Sequence, residues 1–327
     1  MFSNFVQRAV VQSIPLLYGS TGEILTEKSG NLNLGIPGIM YVGAISGVIG
    51  GYLYENNTSN FNNFLGVLIP FACCILGAAV MGLIYCFLTV TLRANQNVTG
   101  LAMTTFGVGF GNFFGGSLMK LTKSQIPTVT VSKCHSAFSK HLTLQSDNRF
   151  VQSLCDIFLS YGFLMYLGII IAILTGLVLK KTRIGLHLRA VGENPATADA
   201  AGINVNRYKY LATCIGSVIA GLGGLYYIMD YASGVWANDG FGDRGWLAIA
   251  LVIFAIWRPA LGIIGSLLFG AMYMVSFYVN ASMAMKPVYE MLPYVVTLIV
   301  LILISFLRKR ETQPPAHLGL PYFREER

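Results

Sequence analysis

The side chains of this 327-residue sequence that could do chemistry are its histidines, cysteines and carboxylates. The histidines are His135, His141, His187 and His317, and none stands at a metal-ligand spacing from a cysteine. The apolar runs show no paired carboxylates for acid–base work. No G-x-x-x-x-G-K-S/T loop is present to bind nucleotide phosphates. The sequence therefore predicts no catalytic residues, no metal site and no cofactor in this chain.

A polar stretch between two long apolar runs contains a short helix that its terminal residues define. Asn194 can cap the first N–H groups, and Pro195 suits the first helical position because no N–H is needed there. Gly202 can adopt the left-handed conformation that ends a helix. The surrounding basic residues, which indicate the cytoplasmic side, are Lys180, Lys181, Arg183, Arg189, Arg207 and Lys209. We expect a docking element for a soluble partner, with an ordinary ordered loop as the alternative.

The elements around this helix are those of a membrane protein. The chain is 54% hydrophobic and 11% charged, about half the charge of a soluble domain. Apolar runs that could cross a bilayer lie near 9–25, 33–54, 64–92, 98–118, 157–179, 210–229, 246–257, 260–280 and 288–307. The N-terminus lacks the layout of a signal peptide, so the first span is expected to be retained. The net charge of +8 reflects basic cytoplasmic loops, and no nucleic-acid partner is expected.

Charge predicts the orientation of these spans. Residues 55–63 contain no Lys or Arg and are expected outside, whereas the basic run 308–310 is expected inside. The shortest run, 246–257, could be a re-entrant hairpin, but the parity of the crossings favours a true span. The predicted fold is all-α and polytopic, with about nine transmembrane helices, the N-terminus outside and the C-terminus cytoplasmic. One transmembrane domain, 1–327, carries an extracytoplasmic loop 119–156, a cytoplasmic loop 180–209 and a cytoplasmic tail 308–327.

Small residues recur at helical spacing in three of the spans. The three sets are Gly43, Gly47 and Gly51; Gly107, Gly111 and Gly115; and Gly216, Ala220 and Gly224. Such faces allow close approach of helix backbones in lipid. The cysteines Cys73, Cys74, Cys86 and Cys214 also lie in spans and are expected to pack as small apolar groups. Cys134 and Cys155 share the outer loop, where a disulfide is possible.

Few ionisable residues approach the membrane interior. Glu23, near the end of the first span, is expected to meet the interface or Lys28 rather than to couple a proton. Five further charged residues border the predicted spans: Asp156, Asp230, Asp239, Asp243 and Arg244. A transporter with so few charges in its spans is expected to take its energy from a partner protein.

Four motifs resemble the permease superfamily of bacterial ABC importers for sugars, branched-chain amino acids and nucleosides. Residues 25–40 read LTEKSGNLNLGIPGIM, close to the family pattern T-E-R/K-S-G-x-x-N-I/L-G-x-x-G, although Pro37 departs from its commonest form. The others are ANQNVTGLA at 94–102, LRAVGENP at 188–195 with GINV at 202–205, and GFGDRGWLAIALVIF at 240–254 with WRPALG at 257–262. The tail at 315–327, PAHLGLPYFREER, is similar to that of the nucleoside branch.

The resemblance implies a coupling helix that sits in a groove of a cytoplasmic ATPase. Its residues would be Glu193, Asn194, Pro195, Ala198, Asp199 and Gly202. It also implies a second homologous permease, a tandem-domain ABC ATPase that binds ATP and Mg²⁺, and an extracytoplasmic solute-binding lipoprotein, all at the bacterial cytoplasmic membrane. The implied mechanism is alternating access, with purine or other ribonucleosides as the solutes.

Polar and aromatic residues beside the motifs are candidates for the solute pathway. They are Asn33, Asn97, Thr99, Thr104, Phe106, Phe241 and Trp246. Aromatic rings suit a nucleobase because they can stack on it. Helix packing is the alternative for each, and an interfacial anchor is a further one for Trp246. Two alternative functions are compatible with the sequence: a sugar or branched-chain amino acid permease, and an ATP-independent channel or carrier.

Overall fold

The computed structural model describes residues 2–122, 128–140, 159–278, 285–307 and 313–324, and these are mostly helical. The helices are α1 (Phe2–Glu27), α2 (Ile36–Asn57), α3 (Asn63–Cys86), α4 (Gln96–Thr122), α5 (Ser132–Phe138), α6 (Phe163–Lys181), α7 (Arg183–Glu193), α8 (Pro195–Ala200), α9 (Val205–Tyr226), α10 (Arg244–Phe254), α11 (Pro259–Tyr278), α12 (Lys286–Glu290) and α13 (Leu292–Leu307). Two π-helical turns, Phe87–Thr91 and Tyr227–Tyr231, extend α3 and α9. The short strands β1 (Thr128–Thr130) and β2 (Val235–Ala237) pair antiparallel.

Four of the described helices are long and apolar enough to cross a membrane. They are Ile36–Asn57, Asn63–Thr91, Phe163–Lys181 and Val205–Tyr231. The first and last of these are mostly buried at the centre of the bundle, whereas the other two expose apolar side chains along much of their length. Apolar side chains on an outer face are what lipid contact requires. The predicted polytopic helical architecture is therefore confirmed in its coarse form.

Glycines bring the central helices into backbone contact, as their spacing predicted. A Cβ atom added at Gly107 would lie 2.5 Å from the Cα atom of Gly38, so α4 and α2 touch there. At Gly216 it would lie 2.4 Å from the carbonyl oxygen of Gly22, so α9 touches α1. Neither approach leaves room for a side chain, because the neighbouring atoms belong to the backbone.

The helices have two distinguishable ends. One end of the bundle, called the docking end below, contains α8 and the C-terminal end of α1. There Ile24, Leu179, Leu188 and Trp257 pack in one cluster. The opposite or far end carries β1, β2 and α5, where the Cys134 thiol lies 3.9 Å from the carbonyl oxygen of Gly51.

The shortest predicted span is only the second half of a longer path. Helix α10 has 11 residues, which is about 16 Å at 1.5 Å per residue. It is preceded by a non-helical segment, 232–243, which contains β2 and in which Trp236 packs against Gly115 near the far end. The path then passes Pro37, which contacts Gly245, and reaches the docking end at Trp257. Segment 232–257 therefore runs from one end of the bundle to the other with an unwound first half.

The described part of the predicted outer loop, 119–122 and 128–140, contains regular structure. Helix α4 continues to Thr122, and the described part of the loop forms β1 and α5. Val129, Cys134 and Phe138 are fully buried there because β1 pairs with β2 and α5 packs on α3. Cys155 lies outside the described residues, so its disulfide with Cys134 stays a prediction.

Candidate functional site

The short helix α8 has the predicted ends. The side chain of Asn194 accepts a hydrogen bond from the N–H of Thr197 at 3.0 Å, and Pro195 occupies the first turn of α8. Gly202 has a φ of +81°, and its N–H donates to the carbonyl oxygen of Asp199 at 2.9 Å. Local capping therefore fixes both ends of this helix.

Only one face of α8 is free to meet a partner. Pro195 and Ala198 are buried, and Ala198 packs in a cluster with Val191 and Val205. The exposed residues at this site are Glu193, Asn194, Ala196, Thr197, Ala200, Ala201 and Gly202. A docking partner would therefore meet a small, flat surface, while Pro195 and Ala198 hold the helix in place.

The C-terminal tail, residues 313–324, crosses the docking end and joins three parts of it. The N–H of His317 donates to the carbonyl oxygen of Gly192 at 3.0 Å, and the N–H of Gly319 donates to that of Gly30 at 3.3 Å. The side-chain amide of Gln96, the first residue of α4, donates to Leu320 at 3.3 Å. The tail therefore connects three parts of the chain: the α7–α8 corner (residues 192–195), the loop after α1 (residues 28–35) and the start of α4.

Asp199, which the resemblance assigns to the coupling helix, is held by the tail. Its carboxylate lies 3.1 Å from the Arg324 side chain and accepts a hydrogen bond from the Tyr322 hydroxyl at 2.9 Å. The Asp199 side chain is only 13% exposed, against 73% for Arg324. Sequence reasoning missed this contact because the partners are more than 120 residues apart.

A buried carboxyl pair lies beside the same surface, contrary to the expectation that the spans have none. Glu23 and Glu27 stand four residues apart on α1, and both are buried. Glu23 accepts the N–H of Asn33 at 2.9 Å, and Glu27 accepts the indole N–H of Trp257. Glu23 thus meets the loop after α1 rather than the interface or Lys28. The i, i+4 spacing was visible in the sequence, because it places both side chains on one helix face.

Lys28 is the first residue of the loop after α1, and its backbone lies against Gly192 of α7. Burial lowers the pKa of its ammonium group, and the nearby carboxylate of Glu193 opposes that shift. The Glu193 carboxylate also accepts the N–H of Ala316 from the tail at 3.3 Å. Glu193 therefore links Lys28 with the tail electrostatically.

The predicted pathway residues do not form one surface. Asn33 is fully buried, and its side-chain oxygen accepts the N–H of Gly35 at 2.9 Å. Thr99 and Thr104 are also buried, and Thr104 donates to the carbonyl oxygen of Leu34 at 2.7 Å. These three side chains are buried, and their place on the solute pathway stays a prediction.

The remaining four candidates are spread along the bundle. Asn97 and Phe106 are exposed on α4, and Phe106 lies 5.8 Å from the Phe110 ring. Phe241 is buried against Tyr41 and Tyr227, and Trp246 is half-buried on α10. Phe106 and Asn97 therefore keep a free surface, whereas Phe241 acts as a core residue.

Sequence reasoning missed a polar site in the unwound segment 232–243. Asp239 is exposed there and accepts a hydrogen bond from the Asn112 amide of α4 at 2.9 Å. Arg244 begins α10, at the predicted span border, and is buried, with its guanidinium 4.6 Å from the centre of the Tyr227 ring and 4.9 Å from that of Tyr231. The available signal was the run of charged and glycine residues between two apolar segments, which is typical of a broken helix at a transport pathway.

A family profile matches nearly the whole chain. It is described as the permease component of the branched-chain amino acid transport system, and it matches residues 5–305. No solved structure matches the chain.

Individual relatives are similar over most of their length. A nucleoside ABC transporter permease of Lactococcus lactis subsp. cremoris is 30% identical over 306 residues, covering 91% of each chain. A guanosine ABC transporter permease of Bacillus subtilis is 27% identical, covering 100% of this chain and 98% of its own. A putative glucose ABC transporter permease of Haloferax volcanii is 33% identical over 265 residues, covering 81% of this chain and 73% of its own.

Proposed function

Because the chain belongs to the family of branched-chain amino acid transport system permease components, we propose that it is the membrane-spanning subunit of an ABC importer for nucleosides. The observation that carries the proposal is the end-to-end match to permeases named for nucleosides and for guanosine. The putative glucose permease is slightly more identical but covers less of both chains. A sugar importer is therefore the second candidate.

The first prediction tests the solute. In cells that express the complete importer, uptake of a labelled nucleoside should be blocked by excess unlabelled nucleoside but not by ribose, glucose or leucine. The measurement is initial uptake, and cells that lack the ATPase subunit provide the control for other routes. Competition by a free sugar alone would move the chain to the sugar importers.

We further propose that the chain crosses a bacterial cytoplasmic membrane nine times, as one permease domain, with the docking end in the cytoplasm. The support is the alternating direction of the helices, with 232–257 acting as one broken span. Residues 55–63 at the far end carry no basic residue, whereas Lys180, Lys181 and Arg183 lie at the docking end.

A labelling experiment tests this topology. The exposed residues Ser59 and Gln313 lie at opposite ends of the bundle. In intact cells, a membrane-impermeant maleimide should modify Ser59→Cys at once and Gln313→Cys only after permeabilisation. The wild-type chain, with its native cysteines, gives the background. Modification of Gln313→Cys from outside would reverse or break the proposed arrangement.

The proposed complex contains a second homologous permease, a tandem-domain ATPase and a solute-binding lipoprotein. Two relatives, both named nucleoside ABC transporter permeases, come from one Lactococcus lactis strain, which supports a pair of different permeases. ATP and Mg²⁺ would bind the ATPase.

In the proposed mechanism, α8 is the coupling helix and sits against the ATPase. Movement of the ATPase would displace α8 together with the loop after α1 and the start of α4, because the tail hydrogen-bonds to Asp199 of α8, to Gly30 and to Gln96. Those elements border the solute pathway by the family resemblance, so the movement would alternate its access.

A further inference from the structure

A polar bridge joins α4 to the unwound segment 232–243. The amide of Asn112 donates to Asp239 Oδ1 at 2.9 Å. The Asn112 oxygen accepts the Tyr41 hydroxyl at 3.1 Å and the N–H of Asp239 at 3.3 Å. The Asn112 amide is thus held in one orientation, and the Asp239 carboxylate is fixed by it while remaining exposed.

The bridge between Asn112 and Asp239 lies well inside both ends of the proposed membrane-spanning helix α4. Asn112 is 16 residues beyond the start of the 27-residue helix α4, about 24 Å from that end and about 15 Å from the other. A carboxylate at that depth is strongly unfavourable in lipid and is found facing a water-filled cavity or a protein partner. We therefore expect the exposed side of Asp239 to face water or a protein partner rather than lipid.

The surface beside the bridge is open because two glycines lie there. A Cβ atom at Gly109 would meet no atom within 4 Å, and one at Gly116 would meet only Asn238, at 4.0 Å. Both flank Asn112 on one face of α4, at i−3 and i+4. The opposite face behaves differently, since a Cβ at Gly111 would collide with Tyr41 at 2.4 Å. The packed face needs glycine for helix contact, whereas the open face leaves space next to a carboxylate.

The geometry points to a sugar-recognition site on the solute pathway, formed by Asp239 and Asn112. We infer that this site binds the hydroxyl groups of the nucleoside ribose, an inference that rests on the proposed function. A carboxylate has about four acceptor positions, and the Asn112 amide uses one, so acceptors remain for two adjacent hydroxyl donors. The ring of Phe113, 68% exposed beside Asn112, offers an apolar surface for the base. The negative charge selects uncharged hydroxyls and repels phosphate.

The test compares solutes that differ only in their hydroxyl groups. The complete importer is reconstituted, and maximal uptake is measured for guanosine and 2′,3′-dideoxyguanosine, each at saturating concentration with the binding lipoprotein. We expect the wild type to favour guanosine about tenfold. Asp239→Asn should lower the ratio severalfold, because the charged carboxylate acceptor becomes a neutral amide, while the left-handed backbone (φ +55°) stays acceptable for Asn.

Matched variants separate this role from a structural one. Asp243→Asn changes an exposed carboxylate of the same region and should keep the wild-type ratio. Gly109→Leu fills the open space and should lower the uptake of both solutes, whereas Gly109→Ala should lower it little. Basal ATP hydrolysis by the purified complex reports that each variant assembles.

Two results would overturn the inference. One is an Asp239→Asn importer that is slower for both solutes but keeps their ratio. The other is wild-type uptake by Gly109→Leu. Failure of the proposed function would look different, because the wild type would then import glucose and no nucleoside. In that case glucose and 2-deoxyglucose replace the nucleosides, and an unchanged ratio in Asp239→Asn would again overturn the inference.

Discussion

Asp199→Arg is expected to lower ATP-driven uptake at least tenfold, although the permease should still insert in the membrane. The substitution removes the ion pair with Arg324 and the hydrogen bond from Tyr322, and it adds a cation to a pocket that Arg93 and Arg324 already line. The ion pair, in which Arg324 is exposed to solvent, contributes under about 1 kcal/mol, and the hydrogen bond contributes about 1 kcal/mol. Repulsion adds to both losses, so the tail should leave α8.

Reversal of both charges tests this explanation. Asp199→Arg combined with Arg324→Asp restores opposite charges and should recover a large part of the uptake. Tyr322→Phe and Arg324→Ala each remove one contact and should have smaller effects. Uptake and co-purification of the ATPase with a tagged permease are the two measurements. A double variant as poor as Asp199→Arg alone would show that Asp199 acts outside the tail contact.

Gly192→Ala is expected to uncouple ATP hydrolysis from transport. The added Cβ would lie 2.3 Å from the carbonyl oxygen of Lys28, and no rotamer change can relieve an overlap with backbone. The α7–α8 corner must then move away from the loop after α1, at a cost of about 1–3 kcal/mol. The contact through which we propose that movement passes from α8 to the loop after α1 would be weakened. We expect the assembled complex to hydrolyse ATP while uptake falls at least tenfold.

Gly202→Ala is the matched control, since it makes the same change ten residues away. A Cβ at Gly202 meets no atom within 4 Å, so only the left-handed backbone (φ +81°) resists the substitution. That strain is roughly 1–2 kcal/mol and is confined to the end of α8. Uptake by Gly202→Ala should fall less than uptake by Gly192→Ala. Equal losses, or normal uptake by Gly192→Ala, would contradict transmission through the Gly192–Lys28 contact.

Structures that depend only on residues close together in the chain were predicted from the sequence. Asn194 and Gly202 defined the ends of α8 because capping involves atoms only a few residues apart. The glycine stripes predicted close helix contact because small residues four apart share a helix face. The long apolar helices were predicted because bilayer thickness sets their length.

The tertiary structure alone decided which distant residues meet. Asp199 contacts a tail residue 123 positions away, and Asn112 contacts Asp239 across 127 positions. The polar segment at 128–138 is partly buried because β2, far along the chain, supplies its partner strand. No local pattern encodes such pairs, since they depend on how the helices pack and where the unwound segment enters the bundle. The positions of the long helices and the ends of α8 were therefore determined by local composition and capping, whereas the tail contacts and the polar bridge at Asp239 were determined by packing.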